Sequence, residues 1–407
     1  MKTKLTAIAL FTVTAVTVIF YPMLKSMTVN AQPTAPVTSN PVIDAPATLT
    51  NERPKIEVVF VLDTTGSMSG LIDAAKEKIW SIASSMASAQ PAPEIKMGLV
   101  AYRDRGDAYV TQVIDLSSDL DTMFATLMDF SADGGGDGPE SVNKALYDAV
   151  HGISWSQDSN SYKAVFLVGD APPHMDYQDE QQFPEILNTA KTKDIVVNTI
   201  QCGQDNTTKQ QWQQIAQLAK GSYFQVEQAG SAIAIETPFD DEIASLSKEL
   251  DDTRLYYGTK EQKAKQSKKV EATNKLHDKS SVASRARRAT YNSSKSGESN
   301  FLGEGELVED FASGRIDLST IDQDQLPEPM QALAPEEQKA EILGKAEKRK
   351  ELKARINELA QQRQGFLKDK ADKMENAEES LDYKLFGTIS EQAQEKGISY
   401  KSAAPSL

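Results

Sequence analysis

Between residues 55 and 226 the chain alternates between two hydrophobic rhythms. Residues 56–62 form an unbroken apolar run ending at Asp63, the mark of a strand buried on both faces. Leu71, Ile72, Ala75, Ile79, Ile82, Ala83 and Met86 then recur on one helical face over 69–88, and Pro91 and Pro93 close that helix. The alternation continues with strands at 95–102, 162–169, 195–201 and 222–226, and helices at 119–129, 140–151, 180–191 and 207–220. The segment 109–114 is shorter and more polar, and predicts an edge strand. Such a pattern predicts an α/β, Rossmann-like domain over 55–228, a mostly parallel six-stranded sheet with helices on both faces.

Beyond Gly230 the strand rhythm stops. Residues 231–299 read as a helical and basic segment. Within it, 258–299 is Ser-rich and poor in apolar residues, and is expected to be partly disordered or weakly helical. Pro327, Pro329 and Pro335 mark 300–335 as linker, 336–380 as a charged helix and 381–407 as a tail. The apolar stripe of the charged helix is Ile342, Leu352, Ile356, Leu359 and Phe366. Lys345, Arg349 and Arg363 interrupt it on a heptad, which predicts docking on a partner or on its own domain rather than a coiled coil.

At the other end, Lys2 and Lys4 precede an apolar run at 5–20, and Val29-Asn30-Ala31 offers a small-residue cleavage pattern. Residues 1–31 are expected to be a secretory signal peptide or an N-terminal anchor, placing the body outside the cytoplasm, periplasmic or secreted. Residues 32–54, rich in Pro, Thr, Ala and Asn, predict a disordered linker.

Charge narrows the partners. The net charge of −15 argues against nucleic acid. It is also uneven: 101–180 holds fifteen acids and four bases, and 254–295 holds twelve bases and three acids. The basic stretch suits a solvated face, the acidic domain itself or an anionic membrane surface. The single cysteine, Cys202, ends an apolar run and reads as a buried core thiol.

The chemistry sits at strand ends, where open α/β sheets bind ligands. Asp63-x-Thr65-x-Ser67 follows the first strand. A glycine-rich loop, Gly134-Gly135-Gly136-Asp137-Gly138-Pro139-Glu140, precedes the helix at 140. Gly169-Asp170-Ala171-Pro172-Pro173-His174 follows the fourth strand. Carboxylate and hydroxyl oxygens of this kind suit a small hard cation. Together the motifs resemble a von Willebrand factor type A (VWA) domain with its metal-ion-dependent adhesion site. The Gly-Gly-Gly-Asp-x-Pro-Glu loop resembles a bacterial and alpha-kinase-associated branch.

That resemblance implies Thr65 and Ser67 as hydroxyl ligands, and Asp63 and Asp170 as ligands directly or through water. Asp137 is the expected ligand from the glycine-rich loop, with Glu140 second. The cation would be Mg²⁺, with Mn²⁺ or Ca²⁺ accepted by the same oxygens. The implied function is non-enzymatic, metal-dependent binding of a protein through an acidic side chain. The alternative is an aspartyl-phosphate enzyme using Asp63, since Asp63-Thr64-Thr65-Gly66-Ser67 also resembles that motif. Asp104 and Asp107 follow the second strand and are expected to pair with Arg103 and Arg105 at the surface, the alternative being that they rim the site. His174 is expected to be a plain loop residue, the alternative being a contact that supports the ligands beside Asp170.

Overall fold

In the computed structural model the described residues are 53–136, 138–228, 235–373, 380–402 and 404–405. The expected signal or anchor, nearly all of the linker that follows it, and Asp137 lie outside them.

The first half of the chain runs β1 (Lys55–Asp63), α1 (Ser69–Ala87), β2 (Glu94–Tyr102), β3 (Thr111–Ser117), α2 (Leu120–Leu127), α3 (Val142–Tyr147), β4 (Tyr162–Gly169), α4 (Phe183–Thr192), β5 (Val196–Cys202), α5 (Asn206–Leu218) and β6 (Tyr223–Val226). These strands form one six-stranded sheet in the order β3-β2-β1-β4-β5-β6. β1 lies in its middle, parallel to β2 from Lys55↔Glu94 to Asp63↔Tyr102, and to β4 from Ile56↔Tyr162 to Leu62↔Val168. β3 runs antiparallel at the edge, as its shorter, more polar sequence predicts. The chain winds outward from β1 to β2 and β3, then returns to begin again at β4 on the other side. The crevice at the carboxyl ends of β1 and β4 is therefore the topological switch point, where such folds take ligands.

Alternation along β1 feeds two cores. Val58, Phe60 and Leu62 pack with Trp80 of α1 and Phe124 of α2 on one face. Val59 and Val61 pack with Leu146 of α3, Ile186 of α4 and Trp212 of α5 on the other. Cys202 is buried at the end of β5, where burial pushes its thiol pKa up.

After β6 the described structure is helical: α6 (Asp240–Asp251), α7 (Lys260–Lys279), α8 (Val282–Ser293), α9 (Glu298–Leu302), α10 (Leu307–Ala312), α11 (Glu328–Gln331), α12 (Pro335–Ala371) and α13 (Leu381–Gln394). Among the described residues no helix is long and apolar enough to cross a membrane. The segment 258–299 is more ordered than its composition predicts. Thr259 opens α7 with a capping box completed by Gln262, and Ser281 caps α8. The bases that made this stretch read as solvated meet acids of the sheet domain: Lys269 with Asp119 at 2.7 Å, and Lys275 with Asp129 at 2.6 Å.

The proline-rich stretch 300–335 likewise carries short helices and a small core of its own around Leu307, Leu326 and Met330. α12 docks on α6 and α10, and two of the residues that break its heptad supply the fastening. Arg349 donates to both Glu306 carboxylate oxygens at 2.9 Å, and Arg363 Nε donates to Asp240 at 2.7 Å. The expected tail forms α13, whose Leu381, Leu385, Ile389 and Ala393 join the core of the α1 face.

Candidate metal centre

β1 delivers Asp63 to the switch point fully buried. Its Oδ1 accepts from the Thr65 amide at 2.8 Å and the Thr65 hydroxyl at 2.7 Å. Its Oδ2 has no hydrogen-bond partner. A single 3-10 turn, Gly66–Met68, follows, and α1 starts directly after it. That turn brings the Ser67 and Thr65 hydroxyl oxygens to 3.4 Å from each other.

The second loop closes over this turn. Gly66 N donates to Gly134 O at 3.1 Å, and Asp133 N to Thr64 O at 3.2 Å. Gly135 has φ +66°, and a Cβ there would stand 2.9 Å from Thr65 Cβ and 3.2 Å from Glu140 Oε1. Glycine is required both for that backbone and for the approach it permits. Glu140 is thereby brought beside Thr65, 4 % exposed, with Oε2 lacking any partner. Its amide donates to Pro172 O at 2.9 Å and its carbonyl accepts from His174 N at 3.1 Å, which ties the second loop to the third.

Asp170 follows β4, half-buried. Thr208 of α5 donates its hydroxyl to the Asp170 carbonyl at 3.1 Å, and Gln228 donates to Asp170 Oδ2 at 2.6 Å. A Cβ on Gly169 would fall 3.0 Å from Asp63 Oδ2 and run into Tyr102 Oη, itself unpartnered, so β1, β2 and β4 converge there.

Electrostatics follow from crowding acids in a buried crevice. Burial, reinforced by Asp170, pushes the Asp63 carboxyl up to about 7. Burial, with Asp63, Asp104, Asp107 and Asp170 adding to it, pushes Glu140 up to about 9. Such groups accept a proton or a cation readily.

Asp104 and Asp107 do not pair with the neighbouring arginines. Asp107 accepts from the Gly135 amide at 3.1 Å, and Asp104 accepts from the Ser141 hydroxyl at 2.8 Å. Arg103 instead holds the backbone through Thr64 O and Ser131 O, and Arg105 pairs with Glu180 and Asp179. His174 is built in as well: it lies 3.3 Å from Asp104 Oδ2, 2.8 Å from Asp176 Oδ1, and stacks on Tyr177. The acids of Tyr-Arg-Asp-Arg-Gly-Asp thus rim the crevice, because the second loop offers amides and hydroxyls closer than any guanidinium.

The structure therefore brings together Asp63, Thr65, Ser67, Glu140 and Asp170. Among the described residues no three His, Cys, Asp or Glu side chains are placed to hold a cation unaided. The donor set depends on the Thr65 and Ser67 hydroxyls. With two buried carboxylate oxygens lacking any donor, it fits a small divalent cation. Gln228 and Tyr102 went unsingled in the sequence, and neither sits in a motif that would flag it.

A mostly parallel α/β sheet with a carboxylate and hydroxyl crevice at its switch point defines a Rossmann-like domain. Residues 57–238 match the von Willebrand factor A domain family model. A putative ariadne-like RING finger protein of Acanthamoeba polyphaga mimivirus is 24 % identical over 146 residues, spanning 36 % of this chain and 14 % of the viral protein. Among solved structures, proximal thread matrix protein 1 from the mussel byssus, with a zinc-occupied MIDAS motif, is 15 % identical. The alignment has a TM-score of 0.33 and covers 42 % of each chain. A von Willebrand factor type A protein from Catenulispora acidiphila is 16 % identical with a TM-score of 0.33, covering 43 % of this chain and 39 % of that one.

Proposed function

We propose that the chain is a non-enzymatic, extracytoplasmic protein-binding module whose sheet domain holds Mg²⁺ at the β1–β4 crevice. Thr65 and Ser67 supply hydroxyl oxygens, and Asp63 and Asp170 bind directly or through water. The glycine-rich loop adds a carboxylate, Asp137 or Glu140. A cation held by these residues would supply the positive charge that attracts an acidic side chain of a protein partner.

One observation carries this reading. Asp63 Oδ2 and Glu140 Oε2 are buried acceptors with no donor, beside two hydroxyls. Leaving such atoms unpaired is costly, and a divalent cation held by these side chains would relieve that cost. The extra carboxylate of Glu140 strengthens the hold on the ion and weakens its pull on an acidic partner, favouring partners with several contacts around the rim.

Calorimetric titration of the metal-stripped full chain with Mg²⁺, Mn²⁺ and Ca²⁺ tests the proposal. Saturable binding that Asp63→Ala/Asp170→Ala abolishes is the expected result. No heat from any of the three ions in the intact chain refutes it.

A further inference from the structure

A cavity lined by both apolar and polar side chains lies away from the crevice, between α1 of the sheet domain and α8 and α12 of the helical half. Its volume is about 580 Å³, the range of sites for small organic ligands. Ser88, Asn357 and Gln361 stand exposed at its rim, and Arg287 and Arg363 are buried in its wall.

Arg287 is the telling residue. It is 3 % exposed, and a guanidinium carries five N–H donors. Its only hydrogen bond among the described residues is a 3.5 Å contact from Nη1 to the Glu77 carbonyl, and Nε has no partner. Nearby acids are already engaged. Glu77 Oε2 accepts from Ser281 at 2.6 Å, Asp382 lies 3.0 Å from Lys78 Nζ, and Asp240 accepts from Arg363 at 2.7 Å. Burial, with Arg363 adding to it, lowers the Arg287 pKa to about 10, the response of a cation short of counter-charge. The Ser84 hydroxyl, in the α1 wall, also lacks a partner.

We propose that this cavity binds a small organic oxyanion, a phosphate monoester or carboxylate on a hydroxylated body, with Arg287 as its charge anchor. Arginine's planar fork matches both oxyanions bidentately. The hydroxyl and amide side chains of Ser84, Ser88, Asn357 and Gln361 match a body rich in hydroxyls. No acid lines the cavity to oppose an anion.

The test is calorimetric and thermal titration of the full chain at ionic strength held constant with KCl. The probes are inorganic phosphate, ribose 5-phosphate, gluconate and neutral ribose. Saturable binding of ribose 5-phosphate or gluconate, and a raised Tm, are expected, the preferred probe identifying the oxyanion; neutral ribose gives neither. Arg287→Met is expected to bind at least about tenfold more weakly, the worth of one charged contact. Its Tm without ligand should be no lower than that of the parent chain. Ser84→Phe fills the cavity and leaves Arg287 in place; it makes the same comparison if Arg287→Met does not fold. Absence of a response to every anion overturns the proposal, as does equal binding of neutral ribose or undiminished affinity in the variants.

Discussion

Arg288 on α8 and Asp121 on α2 form a buried ion pair joining the helical half of the molecule to the sheet domain. Arg288 Nε donates to Asp121 Oδ1 at 2.7 Å, and its Nη1 donates to Asp251 of α6 at 2.6 Å. Thr273 of α7 donates to the same Asp121 carboxylate at 3.0 Å, so four helices meet on one charge cluster. Removing one partner strands a buried charge, so Arg288→Ala should lower unfolding free energy by about 3–5 kcal/mol. Urea denaturation measures it. The double variant Arg288→Met/Asp121→Leu should lose less than the sum of the two single changes.

The same cluster sets an acid limit. Burial alone would raise the Asp121 and Asp251 carboxyls, but Arg288 outweighs it, aided by Lys269 at Asp121 and Arg254 at Asp251. Both carboxyls are held well below the usual range. A folded-state pKa below the unfolded one contributes stability that is complete above the unfolded value and is lost as pH falls toward the folded value. The urea midpoint should therefore fall steadily below about pH 4, with the unfolded Asp pKa near 3.9. In Arg288→Met/Asp121→Leu the slope of that fall should be shallower.

Cation binding should register as stability. At about 100 times the dissociation constant, Mg²⁺ should raise unfolding free energy by about 2.7 kcal/mol. Asp63→Asn, which removes a buried charge without changing shape, should be at least as stable as the parent chain without metal. It should show no Mg²⁺ response in a thermal melt.

Gln228 competes for the third loop. Its amide donates to Asp170 Oδ2 at 2.6 Å and to the Ser67 carbonyl at 3.3 Å, bracing two expected ligand segments. A hydrogen bond to a charged carboxylate is worth about 1.5–3 kcal/mol. Gln228→Leu frees Asp170 for the cation and should tighten Mg²⁺ binding about tenfold or more in a calorimetric titration.

Gly135 offers a geometric check. Any side chain there meets Thr65 and Glu140 across a backbone that L residues seldom adopt. Gly135→Val should push the second loop off the turn. The Mg²⁺ stabilisation should be lost, while the helical half keeps its circular dichroism.

The sheet domain was legible because each element obeys a local rule. The run at 56–62 could only be a doubly buried strand, and Leu71 to Met86 only one face of a helix. β4 came out at its expected bounds, whereas α3 stops at Tyr147 and a wide turn, Asp148–Gly152, completes the expected helix. The strand-end placement of Asp63, Thr65, Ser67 and Asp170 was legible from their spacing. The helical half was not, because its order is held by pairs far apart in sequence. Lys269 meets Asp119, and Arg349 meets Glu306; a local window sees only charge. For Asp104 the sequence favoured pairing with a neighbouring arginine over the rim for a related reason: its partners, Ser141 and His174, lie far along the chain.

The last described helix carries a practical lesson about where this molecule can be cut. Gln392 of α13 exchanges hydrogen bonds with Asn198 of β5 and accepts from the Tyr162 hydroxyl of β4, while Ser399 pairs with Gln90 beyond α1. The cooperative folding unit thus does not end where the strands end. A fragment stopping at residue 228 would present the bared apolar flank of α1 to water, the kind of surface that drives association. Swapping this domain into another chain would mean carrying its distant closing segment along.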